Sequence, residues 1–252
     1  MINALRSEWI KLSTLTVNKV LVAVAVAFPI VITVLVAGLS DETSDFVDLN
    51  DLIAGVTLLS ALLFGVVATI GMSGEFNYNT IRPTFAAQPV RLRSLTAKLT
   101  VNAVVTVVLV AALIAVCWIV GSNLADGFFP AWSIGGEPSP VRAGLLGSGL
   151  FALGVAIAGF GLGNLVRNTP AAVTLLLLWP LVIENIIGRL VFTALDLEWE
   201  KYLPFTEGMT LGFIDRGSGD EVMARFNAGV YFFAWVIGVA VLGLIRTERA
   251  DA

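Results

Sequence analysis

The chain alternates long apolar runs with short polar connections. Residues 20–39, 52–72, 99–121 and 143–166 each run without a single charged side chain. A helix rises about 1.5 Å per residue, so a bilayer core of about 30 Å needs roughly 20 apolar residues. Those four runs meet that length. Residues 171–190 meet it with Glu184 and Arg189 near the far end, and residues 227–245 make a sixth. Backbone amides in lipid are satisfied only within helices or closed barrels. The ten-residue alternation of a barrel is missing, so the runs are helices. The pattern predicts an all-α polytopic membrane protein, a single transmembrane domain over residues 1–252 with six transmembrane helices. The first run outlasts the apolar core of a cleaved signal and follows a structured polar stretch, which predicts a retained span.

Three connecting segments carry patterns of their own. In residues 1–16, Ile2, Leu5, Trp9 and Leu12 recur at helical spacing on one face, with Asn3, Arg6, Ser7 and Lys11 away from it. Trp9 suits the headgroup level, and Arg6 and Lys11 suit anionic lipid, so an interfacial helix anchored by Arg6, Trp9 and Lys11 is expected. Residues 73–98 are far longer than a helix-to-helix connection needs. Pro83 fits a first helical turn and Pro89 a stop, leaving a short stiff element at Thr84–Gln88 flanked by Glu75, Arg82, Arg91 and Arg93. Such a segment either docks on a partner or lies on lipid as a basic loop. Residues 191–226 hold Phe192, Trp199, Leu203, Phe205 and Phe213, which predicts short helices dipping into the interface rather than a flexible loop.

Charge supplies the orientation. With the N-terminus inside, Arg6, Lys11, Lys19, Arg82, Arg91, Arg93, Lys98, Arg167, Arg246 and Arg249 fall on the inner side. Only Arg142, Lys201, Arg216 and Arg225 fall outside. The positive-inside rule therefore places both termini in the cytoplasm. Composition agrees with the spans: 57% of the 252 residues are hydrophobic and 13% charged, about half the charge of a soluble domain. The net charge of −4 dismisses a nucleic-acid partner.

Several chemistries drop out. No histidine is present, which removes zinc-protease motifs, serine triads and histidine haem ligation. Cys117 is the lone cysteine and reads as a packing residue, so no disulfide or metal site is expected. None of the four lysines follows a glycine-rich phosphate loop, so any ATP is bound by another chain.

Polar groups inside the runs are few. Glu184, beside Asn185 and five residues before Arg189, allows two readings. Pro180 kinks the helix and turns the carboxylate to an outer cavity on a transport path, or the span ends near Ile183 and the charges sit in the interface. The span's length limit favours the second. Asn164 lines a polar path or makes an interhelical hydrogen bond. The seven glycines of the fourth run, with Gly159-x-x-x-Gly163 among them, predict close helix packing and not nucleotide binding.

Three places in this order resemble the transmembrane subunits of ABC-2 type ABC transporters, the short six-span bacterial permeases. Arg6-Ser7-Glu8-Trp9-Ile10-Lys11-Leu12 resembles their N-terminal elbow. Gly74-Glu75-Phe76-Asn77-Tyr78-Asn79-Thr80-Ile81-Arg82, with Arg91, Arg93 and Lys98 behind it, resembles the first cytoplasmic loop and its coupling helix. Where the family usually has Thr-Thr-Leu after the loop arginine, this chain reads Pro83-Thr84-Phe85. Tyr202-Leu203-Pro204-Phe205 resembles the outer re-entrant region.

The resemblance implies a permease subunit in the bacterial cell membrane, paired with a second copy or paralogue. It implies export driven by a separate ATP-binding subunit that carries the ATP and Mg, with no cofactor on this chain. It assigns ATPase coupling to Glu75, Ile81, Arg82, Pro83, Thr84, Phe85 and Ala86. The alternatives are a non-transporting immunity or regulatory membrane protein, or a membrane-embedded enzyme, for which the spans offer Glu184 almost alone. A secondary transporter is disfavoured by the absence of inverted repeats. The substrate is not written in the sequence.

Overall fold

The computed structural model describes residues 2–39, 49–87, 91–124, 133–134, 137–138, 140–187, 194, 203–212 and 220–249. Its helices are α1 (Ile2–Thr14), α2 (Thr16–Leu39), α3 (Leu49–Asn77), α4 (Ile81–Ala87), α5 (Arg91–Leu124) and α6 (Pro140–Val166). They continue with α7 (Thr169–Ile186), α8 (Pro204–Thr210) and α9 (Asp220–Arg249). Six of these, α2, α3, α5, α6, α7 and α9, are long and apolar enough to cross a membrane. A two-residue antiparallel ladder, Ser133–Ile134 with Glu137–Pro138, is the β structure among the described residues. The protein is an all-α polytopic membrane protein.

The spans differ in burial, and this fixes the layout. In α3, 78% of the most apolar window is buried, and in α6 67%, against 22% to 28% for the other four. The two buried helices are the centre. On one side α2 and α5 pack against α3; on the other α9 packs along α6, and α7 touches both. The faces of α2, α5 and α9 that carry Val24, Val31, Val104, Val108, Val241 and Leu242 are exposed, as lipid-facing surface requires.

Glycines let the central pair touch backbone to backbone. A Cβ on Gly159 would lie 2.3 Å from the Gly65 carbonyl oxygen, and one on Gly163 would lie 2.9 Å from Met72. The Gly159-x-x-x-Gly163 spacing therefore does what its small size allows. A second glycine face, Gly147, Gly154 and Gly161, repeats every seven residues, or two helical turns. It meets Leu211, Phe232 and Ala240, so α6 presents one smooth face to α3 and another to α8 and α9. Phe232 fills the space left by Gly154 and stacks on Phe151 with centroids 5.3 Å apart.

Residues 73–98, which the sequence presents as a long connection, are mostly helix. The last turn of α3, all of α4 and the first two turns of α5 lie within them. Asn79, at φ 53°, closes α3, and α4 begins two residues later. Pro83 sits in the first turn of α4, where its missing N–H removes no hydrogen bond. Gln88 and Pro89 lie outside the described residues.

Candidate functional site: two polar centres at opposite ends of the bundle

At the end that bears both termini, four charges from three helices form a closed ring. Lys98 of α5 donates to Glu8 Oε2 of α1 at 2.6 Å and to Glu75 Oε1 of α3 at 2.9 Å. Its third proton goes to the Gly71 carbonyl at 3.1 Å. Lys11 of α1 reaches Glu8 Oε1 and Glu75 Oε1, both at 2.8 Å. Two carboxylates and two ammonium groups alternate, so the ring is neutral. The side chains of Lys98, Glu8 and Glu75 are 5%, 6% and 8% exposed, and only Lys11 reaches solvent. Buried charges persist only when paired and hydrogen-bonded in this way.

Two of the ring's groups, Glu8 and Lys11, are biased toward their charged forms. Burial alone would raise the Glu8 carboxyl, but the Lys98 charge and hydrogen bonds from Lys11 and Lys98 bring it below the ordinary value. Burial would lower Lys11, and its hydrogen bonds to Glu75 and Glu8 outweigh this and raise it.

The face of α1 that meets the bundle is Ala4 and Glu8, both buried, with Lys11 at its edge. Of the three residues expected to anchor this helix at the interface, Trp9 is 53% exposed and Arg6 is exposed, while Lys11 belongs to the ring. Glu8 and Lys98 lie in the elbow and loop motifs, where the sequence assigns them no role. Their opposite charges, one in the elbow and one behind the loop, were the available signal, and only the fold brings them together.

Beside the ring lies α4. Ile81 is buried against Met72, Leu95 and Phe160, and Phe85 packs on the edge of that cluster. The Arg91 guanidinium sits 5.3 Å from the Phe85 ring centroid, and Arg91 also donates to the Glu248 carbonyl of α9. Thr84 donates to Thr80 O, while Arg82 and Pro83 are exposed. Ala86 lies in the last turn of α4. The structure thus gathers Glu75, Ile81 and Phe85 around the junction of α3, α4 and α5 and leaves Arg82 and Pro83 on the outer face. Two arginines close the same end: Arg246 donates to Leu165 O and Arg167 to Arg246 O, satisfying carbonyls at the ends of α6 and α9.

The second polar centre is at the opposite end, around Glu184. Pro180 lies in a π turn, Trp179–Ile183, that ends at Glu184. The wider turn re-aims the side chain, and Glu184 is 1% exposed. Its carboxylate is closed to the surface of the bundle. It accepts four hydrogen bonds: from Trp179 Nε1 at 2.9 Å, Phe205 N at 3.0 Å, Thr206 N at 2.7 Å and Thr206 Oγ1 at 2.9 Å.

These bonds explain α8. Leu203 at its N-cap offers no side-chain acceptor, and Pro204 has no N–H. The next two amides, Phe205 and Thr206, are the orphan donors of the first turn, and Glu184 takes both. A negative charge there also suits the helix dipole. Glu184 caps a helix 20 residues further along the chain.

The other residues expected on a path are apart from it. Asn185 donates to Pro180 O and Leu181 O of its own helix. Asn164 donates to Phe160 O and accepts from Thr247 of α9, an interhelical hydrogen bond. Arg189 lies outside the described residues.

Comparison with known families decides the identity. The sequence profile described as "ABC-2 family transporter protein" matches residues 4–137, more than half of the chain. The chain belongs to the ABC-2 transporter family. No curated protein matches it significantly. The whole ion ring lies within the matched region, and so does α4, whereas Glu184 and α8 lie beyond it. Membership makes this a multi-pass, permease-type membrane protein and implies association with an ABC ATP-binding subunit. Within that frame, ABC-2 membership draws attention to the end where α1, α4 and the ring meet.

Proposed function

We propose that this chain is the membrane-spanning permease subunit of an ATP-driven exporter. Its termini and α4 face the bacterial cytoplasm, and α4 is the element on which the separate ATP-binding subunit pushes. ATP and Mg belong to that partner, and a second permease, identical or paralogous, completes the path. The observation that carries this reading is the way α4 is built into the bundle. Ile81 and Phe85 are wedged among residues of α3, α5 and α6, and the ion ring ties α1 to α3 and α5 close by. A push on α4 is therefore delivered to packed spans and is not absorbed by a loop.

Arg82 and Pro83 form the exposed outer face of α4, open to a partner, while Glu75, in the last turns of α3 just before it, is a member of the ring. Glu184 enters this reading as the anchor of α8 at the outer end and not as a contact for substrate. Asn164, Asn185 and Arg189 carry no step of it.

The test uses the assembled transporter. Phe85→Gly removes the apolar wedge and adds about 1 kcal/mol of helix-breaking backbone freedom. The complex then assembles poorly, or hydrolyses ATP without transport. In a Cys117→Ser background, Ala86→Cys cross-links to the ATP-binding subunit. Unchanged transport in Phe85→Gly together with no cross-link from Ala86→Cys overturns the reading.

A further inference from the structure

Between α6, α7, α8 and α9 lies a half-enclosed slot of about 150 Å³. Ala158 and Leu162 of α6, Leu175 and Trp179 of α7, Phe205 of α8 and Trp235 of α9 line it, and no polar atom does. Water finds no hydrogen-bonding partner in such a space. Left empty, its walls forfeit the dispersion contacts that an interior normally has.

The surroundings identify what fills it. Trp235 is 48% exposed, so the mouth opens on the flank between α7 and α9. Leu178, Leu181, Val182 and Leu242 on that flank are exposed, which is lipid-facing surface in a six-span protein. At the rim, Trp235 Nε1 donates to the Tyr231 hydroxyl at 3.0 Å. That bond satisfies the indole N–H inside the protein, so the Trp235 ring presents an apolar surface to the acyl region. A helix from a second copy is about 10–12 Å across and cannot enter a slot of this size. A single hydrocarbon chain can.

The slot is also fixed in shape before anything enters. Trp179 of α7 and Phe205 of α8 both belong to its wall, and both donate to the Glu184 carboxylate. Preformed apolar sites with few polar contacts are the usual form of a small-ligand pocket. We propose that this slot holds an acyl chain of a bilayer phospholipid, inserted from the membrane between α7 and α9 as a resident of the folded subunit.

The probe is a phosphatidylcholine with a photoreactive diazirine in its acyl chain, mixed into vesicles holding the full-length protein. Irradiation and peptide mapping are expected to place adducts on Leu162, Leu175 or Trp235. Ala158 of α6 and Val239 of α9 both line the slot, and the variants Ala158→Phe and Val239→Phe each fill it from a different helix. Either one loses those adducts, while labelling of the lipid-exposed Val24 and Val31 on α2 continues unchanged. Two variants are used so that a folding defect in one, seen as aggregation on gel filtration, leaves the other to decide. Wild-type protein labelled on α2 but not in the slot overturns the proposal. So does equal slot labelling in a well-folded filled variant. A Val239→Cys chain, in the Cys117→Ser background, that disulfide-links to a second copy also overturns it and assigns the slot to a subunit contact.

Discussion

Replacing Lys98 with methionine removes the only cation that touches both buried carboxylates from inside the bundle. Glu8 and Glu75 are left sharing Lys11, which is 40% exposed, and the buried ring carries one uncompensated negative charge. The protein relieves this by undocking α1 or by protonating one carboxyl. Protonation sets the ceiling on the cost. From an ordinary glutamate value of 4.5 to pH 7 is 2.5 units, or about 3.4 kcal/mol at about 1.36 kcal/mol per unit. That agrees with the roughly 3–5 kcal/mol for removing one partner of a buried pair.

The assay is thiol protection at Ala4, which is 4% exposed on the docked face of α1. In a Cys117→Ser background, labelling of Ala4→Cys is divided by that of Ile2→Cys, which is 80% exposed on the same helix. The ratio is expected to rise up to about 300-fold in Lys98→Met at pH 7, which is 3.4 kcal/mol expressed as a rate. At pH 5 protonation costs only about 0.7 kcal/mol, so the defect shrinks to about threefold. The intact protein behaves in the opposite sense. Glu8 is lowered on folding, so its contribution is present above 4.5 and lost as pH falls through its folded value. Lys11 is raised, so its smaller contribution holds below 10.5 and is lost as pH rises through its folded value. Glu8→Gln combined with Lys98→Met leaves the neutral Lys11–Glu75 pair and recovers most of the protection. An unchanged ratio in Lys98→Met at pH 7 refutes the role of the ring. An equal defect at pH 5 and pH 7 refutes the uncompensated carboxylate as its cause.

Two further outcomes follow from the same contacts. Glu184→Ala leaves the buried Phe205 amide without an acceptor, at about 1–3 kcal/mol, and removes the partner of the exposed Thr206 at less cost. Thermal unfolding in detergent should show a lower midpoint than for Asn185→Ala, whose side chain bonds only to its own helix. Gly159→Ala pushes a methyl group toward the Gly65 carbonyl and should destabilise by about 1–3 kcal/mol. Gly71→Ala meets nothing within 4 Å and should stabilise by about 0.5–1 kcal/mol; equal midpoints for the two alanines would contradict the close α3–α6 approach.

The spans were legible because lipid imposes one rule on every residue in them, and a run of about twenty apolar side chains satisfies it by composition alone. The elbow helix was legible as a helix but not in its facing. Periodicity picks out Ile2, Leu5, Trp9 and Leu12, and an apolar count gives no weight to Glu8, which the fold buries against a lysine 90 residues away. Lys98 stood out only as an inner charge behind the loop motif, with no partner indicated. The Glu184 centre was hidden for a different reason. Its carboxylate stands out in the sequence, but two of its donors are backbone amides, and an amide carries no residue signature. Pro180 did mark the irregular turn, and the lack of a capping side chain before Pro204 was a readable hint that α8 borrows its cap. The second glycine face at Gly147, Gly154 and Gly161 was readable as a seven-residue period.

The packing also limits how the proposed push at α4 can travel. Where Gly159 and Gly163 bring α6 against the backbone of α3, neither position carries a side chain of its own that could change rotamer and let one helix slide over the other. The two move as one body. That body reaches from the Ile81 and Phe85 cluster at one end to Leu211, where Gly147 meets the turn after α8, at the other. Relative motion is left to α2, α5 and α7, which are largely exposed, whereas α9 is held to α6 by a backbone approach of its own at Gly161 and Gly243. Packed interfaces switch between discrete arrangements and do not bend continuously. The two polar centres stand where such a switch needs hinges: the ring fastens α1 and α5 to the central pair at one end, and Glu184 fastens α7 to α8 at the other. In the proposed transport cycle the flanking helices swing about these two fixed points, and the central α3–α6 contact stays unchanged.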